Sequence, residues 1–211
     1  MIEEILPAEV ASAVSRLDAP EAALFPTELA LISSAAPRRR AEFTTARVCA
    51  RQALARLGIA AAPILSGARR EPIWPDGVVG SITHCAGYRA AAIGRSTWFT
   101  TIGIDAEPNE PLPDGLLEHI SLPQERRRRA HADGTHLDRL LFSAKESVYK
   151  AWFPLTRRWL GFEQAAITLE PDGTFDAELL VAGPVSGFHG RWLARDELIV
   201  TAIATPRPET P

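Results

Sequence analysis

Two long stretches of the sequence have helical periodicity, and each is followed by a run of strand-like segments. This order restricts the fold more than any other feature. In the first stretch Phe43, Ala46, Ala50, Leu54 and Leu57 recur at the spacing of one helix face. Pro37 suits the first helical position, where its missing N–H goes unused, and Gly58 suits a left-handed stop. In the second, Leu137, Leu141, Ala144, Val148, Ala151 and Leu155 form the apolar stripe. Thr135 and Asp138 have capping-box spacing, with Asp for the usual Glu, and set its expected start. Strands are expected at residues 78–83, 88–93 and 101–107, and again at 165–169, 175–181, 188–193 and 198–204. Helix then strands, twice over, predicts an α+β fold of two halves of similar size, each a long helix packed on a small antiparallel sheet. The expected division is 1–103 and 104–211, with the join near Gly103. The stretch before the first helix, punctuated by Pro7, Pro20, Pro26 and Pro37, is expected to be a loosely ordered lead-in.

Composition narrows the function classes. The 211 residues are 46% hydrophobic and 23% charged, which suits a soluble chain with a real core. A net charge of -3 argues against a general polyanion binder. No apolar run approaches the roughly 20 residues of a membrane span. The acidic start, Met1-Ile2-Glu3-Glu4, lacks the basic character of a secretory signal. Cys49 and Cys85 alone cannot build a disulfide framework or a cysteine-based zinc site, so a reducing cytoplasm is expected. There is no Gly-rich dinucleotide fingerprint and no P-loop. Of the 23 basic residues, 21 are Arg and two, Lys145 and Lys150, are Lys. Lysine can pass a proton near neutral pH where arginine cannot, so this pair is a candidate for chemistry or a compositional accident.

Asp105 and Glu107 stand two apart in a strand, so both carboxylates point to one face. They suit Mg²⁺ as hard oxygen ligands, or form a solvated strand end. Glu146 and Lys150 are i,i+4 neighbours: either a surface ion pair, or buried charges that need a metal and a phosphate. Phe142, Tyr149 and Phe153 on the same face favour burial. Arg39, Arg47 and Arg51 could grip phosphate from one helix face, and Arg69 and Arg70 from a turn, or each could be solvated. Thr83 and His84 end a strand, as phosphate donors or structural groups. Residues 126–129 are four arginines diluted by Glu118, Glu125 and Asp133, without an aromatic platform, so no nucleic-acid partner is expected.

Three segments in this order, Gly80-Ser81-Ile82-Thr83-His84, Ile102-Gly103-Ile104-Asp105-Ala106-Glu107 and Phe142-Ser143-Ala144-Lys145-Glu146-Ser147-Val148-Tyr149-Lys150-Ala151, resemble the motifs of 4'-phosphopantetheinyl transferases. The likeness is to the monomeric surfactin/enterobactin-synthetase type, nearest its actinobacterial members. Arg38-Arg39-Arg40-Ala41-Glu42-Phe43, Trp74-Pro75-Asp76-Gly77 and Trp159-Leu160-Gly161-Phe162-Glu163 agree, and the resemblance spans about residues 37–167. It implies a pseudo-dimer with coenzyme A between its halves. It implies a holo-acyl-carrier-protein synthase that moves the phosphopantetheine arm to a serine of an acyl- or peptidyl-carrier protein. These carriers serve fatty-acid, polyketide or nonribosomal-peptide synthesis, and adenosine 3',5'-bisphosphate leaves.

By position, the resemblance makes Asp105, Glu107 and Glu146 the Mg²⁺ ligands, in the half that follows Gly103. Lys150 faces phosphate, Lys145 reaches the coenzyme, and Glu146 with Lys150 carries the catalysis. Ser81, Thr83 and His84 match the 3'-phosphate segment, Arg39 and Arg47 basic coenzyme positions, and Arg69, Arg70, Glu71 and Pro72 the adenine-side loop. Asp105 also belongs to the coenzyme-binding set. Close relatives have Lys at the position of Ser66 and Lys-Gly at Arg69-Arg70, which leaves the replacement for that lysine open. A cytoplasmic monomer is implied, with no nucleic-acid or membrane partner. The rival readings are a Mg²⁺-dependent phosphohydrolase and a non-catalytic nucleotide- or nucleic-acid-binding module.

Overall fold

Apolar residues order the N-terminal segment, contrary to the expected loose lead-in. Ile2, Ile5, Leu6 and Val10 are buried in a core with Tyr88, Ile104 and Val200. Strand β1 (Ala11–Ser15) and the short helix α1 (Pro26–Leu31) follow. The small residues of β1 carry little strand signal alone; pairing with a buried neighbour makes them a strand. The computed structural model describes residues 1–127 and 134–208.

Helix α2 (Pro37–Arg56) buries the expected stripe, with Cys49, Ala50, Ala53 and Leu54 packed over Ala13, Ala91 and Ile93. Gly58 stops it at φ +71°, the left-handed region expected. Strands β2 (Val78–Cys85) and β3 (Tyr88–Arg95) complete a three-stranded antiparallel sheet in the order β1-β3-β2.

The second half begins with β4 (Phe99–Pro108) and the short helices α3 (Leu116–Ile120) and α4 (Pro123–Arg127). Then come the long helix α5 (Leu137–Thr156) and strands β5 (Ala165–Leu169), β6 (Thr174–Leu179), β7 (Gly187–Arg195) and β8 (Leu198–Pro206). The second sheet is antiparallel, in the order β4-β8-β7-β6-β5. Val148, Ala151 and Trp152 of α5 pack over Phe175, Ile199 and Ile203. The fold is therefore the expected α+β pair of halves, with sheets of unequal size.

Two boundaries differ from expectation. The division at Gly103 falls inside β4, whose pairing with β8 already begins at Phe99, so the structural seam precedes that residue. Helix α5 starts at Leu137 with His136 as its N-cap, and Asp138 Oδ2 instead accepts from the Leu112 N–H at 2.8 Å. Of the arginine run, Arg126 is exposed in α4, and Arg128 and Arg129 lie outside the described residues.

Helix α5 and strand β4 approach closely at Gly103. A Cβ there would collide with the Ser147 carbonyl oxygen and lie 2.8 Å from the Ala151 nitrogen. Both are helix backbone and cannot yield cheaply. Gly103→Ala should therefore destabilise by about 3 kcal/mol. Thermal unfolding checks it: the midpoint should fall by roughly 5–10 °C, and an unchanged midpoint would contradict this packing.

Candidate active site

The two sheets meet along edge strands β2 and β4. No backbone ladder joins them; side-chain hydroxyls do. The Ile104 N–H donates to Ser81 Oγ (3.1 Å), and the Ala106 N–H donates to Thr83 Oγ1 (3.0 Å). Thr83 Oγ1 in turn donates to Asp105 Oδ1 at 3.2 Å. Buried edge N–H groups must find acceptors, and these hydroxyls supply them. Thr83 thus fixes Asp105 from the opposite half.

Strand alternation puts Thr101, Gly103, Asp105 and Glu107 on the face toward α5. Lys150 reaches across, its Nζ 2.7 Å from Asp105 Oδ1 and 3.1 Å from the Ile104 carbonyl. Among the described residues its ion pair is with Asp105, not with its i,i+4 neighbour Glu146. Burial pushes the Glu146 carboxyl up, against the pull of Lys150. Glu107 is pushed up to about 7 by burial and by the charge of Asp105, while Arg139 pulls the other way. Asp105 Oδ2 is buried with no hydrogen-bond partner among the described residues.

A cation would answer all three observations, since it offsets carboxylate repulsion and fills an orphaned lone pair. These residues therefore fit a divalent ion. The cage is not preformed: among the described residues no three His, Cys, Asp or Glu side chains converge as a metal site. Lys150 occupies one Asp105 oxygen, and Arg139 one Glu107 oxygen at 2.9 Å.

Beside this cluster a cleft of about 420 Å³ runs between the halves. From the first half it is lined by Arg39, Arg47, Arg69, Arg70, Glu71, Pro72, Ser81 and His84, and from the second by Glu146, Lys150 and Arg157. Trp74, Tyr149 and Phe153 supply apolar wall. Trp159 packs against Tyr149 at a tilt of 55°, with ring centroids 5.0 Å apart. Six cations face two carboxylates here, so the cleft suits an anionic ligand with an apolar part. Asp105 is joined to it through Lys150, and Thr83 in turn bonds Asp105.

Arg47 is buried where the sequence predicts a residue off the apolar stripe. Its guanidinium lies 3.8 Å over the Phe43 ring and donates to Ser66 Oγ (3.0 Å) and the Ile64 carbonyl (3.3 Å). Burial lowers it to about 10. Ser66 thus serves as an acceptor for Arg47. Arg39 Nη1 lies 2.9 Å from His84 Nε2; a guanidinium only donates, so Nε2 accepts and the imidazole is neutral. Burial, with Arg39 and Lys150 nearby, holds His84 below the ordinary imidazole range against the pull of Glu42. The loop from Ser66 to Pro72 closes on itself by a bridge between those residues, and Arg157 ties it to the second half through Glu71 at 3.1 Å.

Two expected residues point elsewhere. Lys145 does not line the cleft: its Nζ is buried against Glu125 Oε2 (2.9 Å) and the carbonyls of Phe162 (2.7 Å) and Ala165 (2.9 Å). It lies on the helix side facing β5, opposite the direction of Lys150. Arg51 is drawn away by Glu28, a fully buried carboxylate at 2.8 Å, and by the Ala23 carbonyl. Sequence reading also missed Arg139 and Arg157, which carry no distinguishing signal among 21 arginines.

A two-half α+β protein whose seam gathers carboxylates, a lysine and an arginine-lined cleft belongs with enzymes that handle phosphorylated substrates. The family comparisons give the class. The model of the 4'-phosphopantetheinyl transferase N-terminal domain matches residues 27–94, and that of the 4'-phosphopantetheinyl transferase superfamily matches residues 101–203. The chain is 51% identical to 4'-phosphopantetheinyl transferase Svp of Streptomyces mobaraensis, over 99% of this chain and 90% of the relative. It is 52% identical to Npt of Nocardia iowensis, over 97% and 99% of the two chains, and 48% identical to PptT of Mycobacterium tuberculosis, over 96% and 97%. The chain belongs to the 4'-phosphopantetheinyl transferase superfamily and is an enzyme of that class.

The position of Lys145 makes a testable claim. Removing one partner of a buried ion pair strands the other charge, at about 3–5 kcal/mol. Lys145→Met should lower thermal stability by that amount yet leave coenzyme A affinity unchanged, measured by calorimetry below the unfolding temperature. Adding Glu125→Gln should restore part of the stability, because the stranded charge is gone. A selective loss of coenzyme affinity in a normally stable Lys145→Met protein would contradict the placement.

Proposed function

We propose that this protein transfers the 4'-phosphopantetheine arm of coenzyme A to a serine of an apo acyl- or peptidyl-carrier protein. The observation that carries this reading is a cleft between the halves, lined by five arginines and by Lys150, which pairs with Asp105 beside it. Coenzyme A has matching chemistry: a 3'-phosphate, a pyrophosphate and an apolar arm. In this reading Arg39, Arg47, Ser81, Thr83 and His84 form the 3'-phosphate end, and the loop from Arg69 to Pro72 flanks the adenine. Lys150 steadies the pyrophosphate beside Glu146.

The reaction exchanges one phosphorus–oxygen bond for another. The serine oxygen attacks the pantetheine-linked phosphorus, the bond to the bridging oxygen breaks, and adenosine 3',5'-bisphosphate leaves with the electron pair. The serine proton must be removed, and Glu146 is the proposed base. Lys150 can protonate or steady the leaving oxygen. Mg²⁺ would be held by Asp105, Glu107 and Glu146, and when bound would neutralise pyrophosphate charge. The division of labour is first half for recognition, second half for chemistry. A cytoplasmic enzyme fits the two free cysteines, and a monomer is proposed with it. No described helix is long and apolar enough to cross a membrane.

Mass spectrometry of an apo carrier protein incubated with this protein, coenzyme A and Mg²⁺ tests the reading. The expected result is the mass of one phosphopantetheine arm on one serine. Phosphate release without that gain would point to a phosphohydrolase, and binding without turnover to a non-catalytic module.

Two predictions sharpen it. Lys150→Arg keeps the charge but not the compact, proton-exchanging amine, so steady-state transfer should fall at least about tenfold, or 1.4 kcal/mol of barrier. Full activity would remove Lys150 from the reaction. Dephospho-coenzyme A should bind more weakly than coenzyme A by about 1.5–3 kcal/mol, the range of a charge-assisted phosphate contact. Calorimetry reads the difference, and equal affinities would relocate the 3'-phosphate.

A further inference from the structure

We propose that Arg139 is a positioning residue for the cation site, holding Glu107 at one oxygen so that the other is presented beside Asp105. The proposal rests on the cation-dependent transferase reading above. Arg139 lies in the first turn of α5, and its side chain is 12% exposed. Its guanidinium serves three acceptors at once. Nη1 donates to Glu107 Oε2 (2.9 Å), Nε to the Glu110 carbonyl (3.1 Å) and Nη2 to the Pro111 carbonyl (2.9 Å). Among the described residues no hydrogen bond is made to Glu107 Oε1.

The arrangement does two things. It fixes a carboxylate that follows Asp105 by two residues on the same strand face, where the two negative charges repel. It also pins the loop after β4, so that the strand end bearing Glu107 cannot swing away. Neighbouring bonds reinforce the loop: Asn109 Nδ2 donates to the Gly134 carbonyl (2.8 Å), Asn109 Oδ1 accepts from the His136 N–H (2.9 Å), and Asp138 holds the Leu112 N–H. Among the described hydrogen bonds, those of Arg139 reach both the loop and Glu107. A planar fork is suited to this task, whereas an ammonium is a point charge that cannot span all three acceptors. Partners that orient metal-ligating carboxylates control the affinity of the site without touching the metal.

The test is Mg²⁺ titration by calorimetry, with coenzyme A present and no carrier protein. It uses the full-length wild type and the variants Arg139→Gln, Arg139→Lys and Asp138→Ala. Arg139→Gln should weaken Mg²⁺ by about tenfold or more, as expected for loss of an orienting partner, and Arg139→Lys by less. Transfer assays should show the loss recovered by raising Mg²⁺, with the maximal rate approached. Asp138→Ala, which loosens the loop without reaching Glu107, should lower thermal stability and leave Mg²⁺ affinity unchanged.

Wild-type Mg²⁺ affinity in Arg139→Gln would overturn the proposal. So would an equal loss in Asp138→Ala, which would reduce Arg139 to a loop anchor, or the absence of Mg²⁺ binding by the wild type. If Arg139→Gln does not fold, Arg139→Lys decides, and unchanged affinity there is the contrary result. Mg²⁺ binding that depends on Arg139 in a protein that modifies no carrier would instead overturn the transferase reading alone.

Discussion

The hydroxyls of Ser81 and Thr83 join two sheets that would otherwise end in open edges. Had β2 and β4 paired through their backbones, the two sheets would have merged into one continuous surface. Instead the Ile104 and Ala106 N–H groups are satisfied by side chains, and the sheets stay distinct. An unsatisfied buried N–H costs about 1–3 kcal/mol, so neither hydroxyl is dispensable. The same Thr83 oxygen donates to Asp105. Thr83 thus bonds across the seam and fixes the first carboxylate of the candidate metal site, beside an apolar core that both halves share.

Buried charge in this protein falls into two kinds. Glu28 with Arg51, and Glu125 with Lys145, are pairs whose remaining valences are met by backbone groups. They are closed and structural. Around Asp105 the account does not close: Lys150 and Thr83 share one oxygen, the other is orphaned, and Glu107 and Glu146 are both shifted toward protonation. Low-dielectric surroundings make such incompleteness expensive. An orphaned carboxylate oxygen beside two carboxylates shifted toward protonation marks a place where a cation would complete the set. The two lysines divide along this line. Lys145 belongs to the closed kind and Lys150 to the open kind, so the retention of lysine has two separate physical causes.

The two long helices, most of the strands and the α+β class were legible from periodicity, because burial repeats every 3.6 or every two residues and leaves its mark locally. The D-x-E spacing likewise put Asp105 and Glu107 on one face from sequence alone. Motif resemblance gathered the cleft residues from both halves. The sequence also hid an ordered N-terminal segment. The small side chains of β1 have weak local preference and acquire a strand conformation only through pairing with β3.

What tertiary structure alone decided is which partner each charge takes. Local spacing joins Glu146 to Lys150, yet Lys150 goes to Asp105, 45 residues away in the chain. It puts Arg39, Arg47 and Arg51 on one polar face, yet Arg47 is buried beneath Phe43 and Arg51 is captured by Glu28. It sets Lys145 beside Lys150, yet the helix turns one toward β5 and the other toward β4. The reason is physical. Hydrophobic periodicity is a property of a segment, readable from the segment. An ion pair or a shared hydroxyl is a property of two segments brought together by packing, and its identity exists only once the sheets have met.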